Sequence, residues 1–214
     1  TAEQITSSSV TFQVSFSEPV VNVGTDDFVQ GGTAGGSVSS VSTSGDTTVT
    51  VGSLGEGTVD LNLAILPNRD LQDPAGNEPE SVLSEETYTI DTTAPTVTAI
   101  TRTSPTSDLT NDESVTFAVS FSETVGGLGT DDFSLTAGGS LNASVTGVNA
   151  PTSGDTTVTV GSISGDGSLG VSLDDGDNDV TDPSGNVLDD AISPTPNETY
   201  TVDNTAPSIT GVTR

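Results

Sequence analysis

Residues 9–20 read SVTFQVSFSEPV, and residues 114–125 read SVTFAVSFSETV. In the first stretch Val10, Phe12, Val14 and Phe16 alternate with Thr11, Gln13 and Ser15. A period of two predicts a half-buried β-strand. Val115, Phe117, Val119 and Phe121 repeat the pattern 105 positions later. A strand pattern that recurs with its flanks intact marks a tandem array.

The duplication extends in both directions. GTDDF at 24–28 returns at 129–133, and SGDTTVTVGS at 44–53 returns at 153–162. DPAGN at 73–77 answers DPSGN at 182–186, and YTIDTTAP at 88–95 answers YTVDNTAP at 200–207. The offset drifts from 105 to 112, so the insertions fall in loops. Every aromatic is matched: Phe12, Phe16, Phe28 and Tyr88 against Phe117, Phe121, Phe133 and Tyr200. Sparse aromatics at equivalent places are core anchors. The TTVTV segments and the run Val59, Leu61, Leu63 and Ile65 add strands between Gly, Ser, Asp and Asn turns, and no segment shows a helical period.

Several short strands in about 100 residues predict an Ig-like β-sandwich. The expected fold class is all-β, two tandem Ig-like β-sandwich domains in an extended rod. The boundaries are 1–93 for a first repeat lacking its first strand, 94–205 for the second, and 206–214 for a further strand. That last segment with Thr205 before it, TAPSITGVTR at 205–214, matches TAPTVTAITR at 93–102, with Arg214 against Arg102. Two explanations stand side by side. The chain is an excerpt of a longer array, or 206–214 is a donor strand that completes the first domain of a neighbouring copy.

Composition narrows the function. The 214 residues carry 31 Asp plus Glu against 3 Arg and no Lys, a formal charge of −28. Such a surface repels nucleic acid and anionic membranes, and attracts cations. It suits a protein of concentrated salt and equally a protein with calcium sites. There is no Cys, His, Met or Trp. Disulfides and thiol chemistry are excluded, and metal clips are another way to stiffen a secreted protein. Carboxylates and hydroxyls alone remain for acid–base or nucleophilic work. Because the carboxylates recur in both units, a spacer role is expected rather than an enzyme. No run approaches the roughly 18 apolar residues of a membrane span, so membrane insertion is not expected.

The series FSExV…GTDDF…DPxGN…ETYTxDxTAP resembles the bacterial Ig-like tandem repeats of giant calcium-binding surface adhesins and other repetitive extracellular proteins. It covers nearly the whole chain, twice. The resemblance implies an Ig-like fold, an extracellular or cell-surface location, and neighbouring repeats of the same protein as partners.

The acidic residues then suggest a site. Glu18 and Glu123 continue the inward parity of their strands, and no Lys exists to pair with them. In an Ig-like sandwich the same pole gathers Asp131, Asp132, Asp182 and Asn186. Asp91 arrives there from the preceding unit. Such a hard oxygen set favours Ca2+ over magnesium, which demands near-octahedral geometry and keeps its waters. The equivalent set in the first domain is Glu18, Asp26, Asp27, Asp73 and Asn77, and Asp203 would serve a following domain. Each element has a plainer explanation too. GTDDF is a good turn with Phe as a core plug, DPxGN is a turn in its own right, and Asp91 can end a strand and discourage edge pairing. LDDGDNDVTD at 173–182 has the look of an EF-hand loop, but it lacks the bidentate Glu at loop position 12 and flanking helices. It is left as a polar loop with looser calcium affinity.

The expected function is a structural repeat of a surface fibre or adhesin, rigidified by calcium at interdomain junctions. The alternatives are a filament or surface-layer subunit assembled head to tail by donor-strand exchange, and an adhesive module for a cell-surface or glycan ligand.

Overall fold

A computed structural model describes residues 3–44, 46–63, 70–79, 86–149, 154–191, 194–195 and 197–214. Two compact units divide the chain, Thr1–Thr93 and Ala94–Arg214. Ile65, expected to extend a strand, lies outside the described residues.

Unit 1 contains β1 (Glu3–Ile5), β2 (Ser9–Val14), β3 (Phe28–Gly32), β4 (Ser37–Ser42), β5 (Thr47–Gly52), β6 (Gly57–Leu63) and β7 (Tyr88–Ile90). Unit 2 contains β8 (Val97–Ser104), β9 (Leu109–Thr110), β10 (Val115–Phe121), β11 (Phe133–Ala137), β12 (Asn142–Val148), β13 (Asp155–Ser164), β14 (Gly167–Leu173) and β15 (Tyr200–Val202). The protein is all-β, and both units are Ig-like sandwiches. Unit 1 pairs a sheet of order β1-β7-β6-β3 with one of order β2-β5-β4. Unit 2 repeats the two orders as β9-β15-β14-β11 and β10-β13-β12, and adds β8 beside β10.

The cores follow from the alternation. In unit 1 Val10 stands opposite Val51 and Phe12 opposite Val49. In unit 2 Val115 stands opposite Val160 and Phe117 opposite Val158. Phe12 meets Tyr88 edge to face at 5.4 Å, and Phe117 meets Tyr200 in the same way at 5.1 Å. Such pairs add about 0.5–1.5 kcal/mol beyond the area they bury. The Tyr200 hydroxyl lies 2.7 Å from the Pro105 carbonyl and 3.1 Å from that of Thr116, so its single proton has an acceptor.

The two units differ at one edge. β10 is flanked by β13 and β8, and Val119 and Phe121 are buried. Among the described residues β2 pairs with β5 alone, and the matching Val14 and Phe16 are half-buried. Residues 206–214 carry the β8 sequence but form no strand. Ile209 and Val212, the counterparts of buried Val97 and Ile100, are 88% and 90% exposed. Among the described residues no helix is long and apolar enough to cross a membrane.

Candidate metal centre

The GTDDF segments fold alike. Gly24 is extended, Thr25–Asp27 make one 3₁₀ turn, and Phe28 enters β3 with its ring in the core. The turn reverses the chain so that the second aspartate faces inward and the first faces water. Asp27 is fully buried, while Asp26 is exposed.

Burying a carboxylate demands donors. Asp27 has three: Gly24 N–H donates to Oδ2 at 2.7 Å, and Asp70 and Leu71 N–H donate to Oδ1 at 3.2 and 3.1 Å. Main-chain donors therefore meet the needs of this carboxylate. Among the described residues no three carboxylates of unit 1 converge.

Asp132 is the equivalent residue of unit 2 and only 3% exposed, but its surroundings are different. Gly129 N–H donates to its Oδ2 at 2.6 Å, matching Gly24. The N–H groups equivalent to those of Asp70 and Leu71 belong to Asp179 and Val180, and they donate to Asp175 instead, at 3.1 and 3.3 Å. Asp175 is itself buried, in the loop that leaves β14. Asp174 N–H donates to the Asp132 carbonyl at 2.8 Å and ties this loop to the GTDDF turn.

The result is a convergence of acids. Asp132, Asp175, Asp177 and Asp179 each bring an oxygen to within 4.8 Å of all the others. Burial raises the Asp132 pKa, and the charges of Asp179, Asp131 and Asp175 push it further in the same direction. Desolvation by its neighbours, then the charges of Asp177 and Asp175, raise Asp179. Of these four residues, sequence reasoning nominated Asp132 as a ligand and treated the rest as a polar loop. The density of Asp in DDGDND was the available signal.

The remaining expected residues take other places. Glu18 is exposed, which corrects its expected inward parity. β2 ends at Val14, the chain bends at Ser17, and side-chain alternation does not survive the end of the strand. Glu123 is half-buried, and its carboxylate lies within 4.8 Å of that of Asp182. Asp132 belongs to the other acidic group, so the single pole expected for unit 2 is divided. Asp182 also organises its own turn: Ser184 and Asn186 N–H donate to Oδ1, and Asn186 Nδ2 donates to Oδ2, each at 2.8 Å. Asp73 and Asn77 build the same turn in unit 1, where the Asn77 side chain and backbone hold the Asp73 carboxyl below its ordinary pKa.

Asp91 and Asp203 are likewise built alike. Asp91 follows β7, its N–H donates to Ile5 O, and its Oδ1 accepts Thr93 N–H at 3.2 Å. Asp203 N–H donates to Thr110 O, and Asp203 Oδ1 accepts Thr205 N–H at 3.0 Å. A second acid clasps each turn from the loop that crosses between the two sheets, β5 to β6 in unit 1 and β13 to β14 in unit 2. Glu56 accepts the hydroxyls of Thr92 and Thr93. Asp166, its counterpart, accepts Asn204 N–H and the Thr205 hydroxyl, both at 2.6 Å. Sequence reasoning missed Glu56 and Asp166, although both stand in matched Gly-acid-Gly turns, 55–57 and 165–167.

No family model matches the chain. The search of curated proteins also found no match. Among solved structures, the chain is similar to the Escherichia coli adhesin FdeC at 18% identity and a TM-score of 0.44, covering 94% of this chain and 60% of that one. It is similar to the D00-D0 domain of intimin at 17% identity and a TM-score of 0.33, covering 95% and 96%. Domains 5-6 of the S-layer protein SbsC follow at 16% identity and 0.25, covering 80% and 86%. The chain thus spans 60% of the length of the FdeC chain that it matches.

Proposed function

We propose that this chain is a structural repeat segment of an extracellular surface fibre or adhesin, stiffened by calcium where one repeat meets the next. The observation that carries the reading is the clasped connector. Asp91–Thr93 under Glu56 and Asp203–Thr205 under Asp166 close two sandwiches of one design. A domain whose exit is fixed in the same way twice is suited to hold a successor at a set angle. Calcium would draw on Asp91 from the connector and on Glu123 and Asp182 from the following unit. It would offset carboxylate repulsion that no lysine can relieve.

The test is a calcium titration of chelator-treated chain, followed by small-angle scattering and thermal melting, with Asp91→Asn and Glu123→Gln alongside. A longer, narrower particle and a raised Tm are expected for the wild type, and a blunted change in particle length for the variants. Wild-type dimensions that ignore calcium would overturn the junction reading.

A second reading, head-to-tail assembly, is favoured by exposed Ile209 and Val212 and by half-buried Val14 and Phe16. The 206–214 segment would add to the β2 edge of another copy. A chain that stays monomeric at high concentration, in light scattering and electron microscopy, would remove it.

A further inference from the structure

We infer that the 206–214 segment of one copy docks on unit 1 of a second copy in a single register, and that Arg214 is the residue that fixes it. Docking in this form presupposes the head-to-tail reading and adds to it the pairs of residues that meet. Unit 2 holds the pattern already assembled. On one side β8 pairs with β10, with Val97 opposite Phe121, Ile100 opposite Val119 and Arg102 opposite Phe117. On its other side Asp189 N–H donates to Pro95 O at 2.8 Å and Glu198 N–H donates to Ile100 O at 2.9 Å. The strand therefore lies in a slot. Arg102 closes it: its N–H donates to Glu198 Oε2 and its Nη1 to Thr199 O, both at 2.8 Å. Its guanidinium lies 5.8 Å from the centre of the Tyr200 ring, a cation–π distance.

Unit 1 keeps the receiving residues. Glu86, Thr87 and Tyr88 repeat Glu198, Thr199 and Tyr200, while Val14 and Phe16 repeat Val119 and Phe121. Among the described residues β2 pairs with β5 alone. Val14, Phe16 and Tyr88 are half-buried, whereas Val119, Phe121 and Tyr200 are buried. The 206–214 segment carries the matching set, since Ile209, Val212 and Arg214 stand where β8 has Val97, Ile100 and Arg102. Ile209 and Val212 are 88% and 90% exposed. Carried over from unit 2, the register sets Ile209 opposite Phe16, Val212 opposite Val14 and Arg214 opposite Phe12. The Arg214 guanidinium then lies over Tyr88 and faces Glu86.

Burial of apolar surface on both partners drives the docking, and the arginine selects the register. A slip of one residue would turn Ile209 and Val212 to solvent and take Arg214 off the ring. The segment has no acid of its own, in a chain of formal charge −28 whose copies repel one another. At about 1 M salt the Debye length falls to about 3 Å and that repulsion is screened. Donor and acceptor are different surfaces of the chain, so each docked copy leaves one of each open and assembly proceeds to a filament or a ring.

The experiment uses the full chain, which has no native Cys, at about 1 M salt. A Val14→Cys chain mixed with a Val212→Cys chain should form a mixed disulfide, because opposite residues of paired strands lie about 4.5–5.5 Å apart at Cα. Thr213→Cys, on the other face, should form it at least about tenfold more slowly. In sedimentation over a concentration series, Arg214→Gln should weaken association about tenfold, Arg214→Lys should restore part of it, and Val212→Asp should abolish it. Residues 206–214 are exposed and form no strand, so these tail variants leave the sandwiches intact. Phe16→Cys with Ile209→Cys is the second pair should Val14→Cys misfold. A chain that stays monomeric overturns both the docking and the head-to-tail reading. Assembly with equal crosslinking from Thr213→Cys, or with no response to Arg214→Gln, overturns this register and anchor and leaves head-to-tail assembly standing. A disulfide that forms only with both cysteines on one chain assigns the segment to its own unit 1 and overturns docking between copies.

Discussion

The substitution of Asn for Asp at two equivalent positions should have opposite signs. Asp27 receives three main-chain N–H groups on its two oxygens. Asparagine has one oxygen, so Asp27→Asn must turn an NH2 either toward Gly24 N–H or toward the pair from Asp70 and Leu71. In the milder case one charge-assisted hydrogen bond is lost and a buried donor faces a donor, a cost of about 2 kcal/mol. For a unit ending at Thr93 that corresponds to a Tm lower by about 8–16 °C. At Asp132 the single bond from Gly129 survives on the asparagine oxygen, and the new NH2 faces carboxylates. Removing one charge from the group relieves about 1 kcal/mol per neighbour at a water-like dielectric. In chelator, Asp132→Asn should therefore raise the melting point of unit 2 by a few degrees. Differential scanning calorimetry, with amide exchange to assign each transition to its unit, reads both effects. If Asp132→Asn is as destabilising in chelator as Asp27→Asn, the donors have not been rerouted and the reasoning fails.

Two further outcomes are expected. Hydrogen bonds from Thr205 and Asn204 hold the Asp166 carboxyl below its ordinary pKa. A depressed carboxylate contributes stability above its unfolded pKa and loses it as pH falls through the folded value. The Asn204 amide should accordingly shift in an NMR titration below roughly pH 4, and Asp166→Asn should abolish that step. A Cβ at Gly167 would lie 1.8 Å from Gly138 O, on a backbone with φ of +156°. Gly167→Ala should cost about 3 kcal/mol or more, whereas Gly147→Ala, with nothing within 4 Å, should be neutral or slightly stabilising in urea denaturation.

The strands were legible because alternation is a property of neighbouring residues. Val115, Phe117, Val119 and Phe121 are read as one face, and all four are buried. At Glu18 the alternation no longer holds, because the strand has already ended at Val14 and its register no longer governs direction. The acidic group was legible in part. GTDDF announces a turn with an acid on it, but which aspartate turns inward depends on the 3₁₀ geometry. Whether Asp132 keeps its amide donors depends on the path of a loop some 40 residues further along the chain. The Asp166 clasp was hidden for the same reason, since its partners come together only when β14 and β15 pair.

The duplication makes this dependence concrete. Asp27 and Asp132 share sequence context, turn, depth and the first donor, Gly24 or Gly129. They part only at the loop after β6 or β14. When the two loop amides donate to the turn aspartate, its charge is satisfied and it staples the loop. When a loop aspartate of its own, Asp175, accepts those amides, the staple is made elsewhere. The turn aspartate, Asp132, is then buried with the Gly129 amide as donor and three further aspartates beside it. No strand need move for this exchange, since β3–β6 and β11–β14 pair in equivalent register, with Phe28 opposite Leu63 and Phe133 opposite Leu173. One acceptor placed in a loop can thus change which amides a carboxylate holds while the sandwich beneath it stays the same.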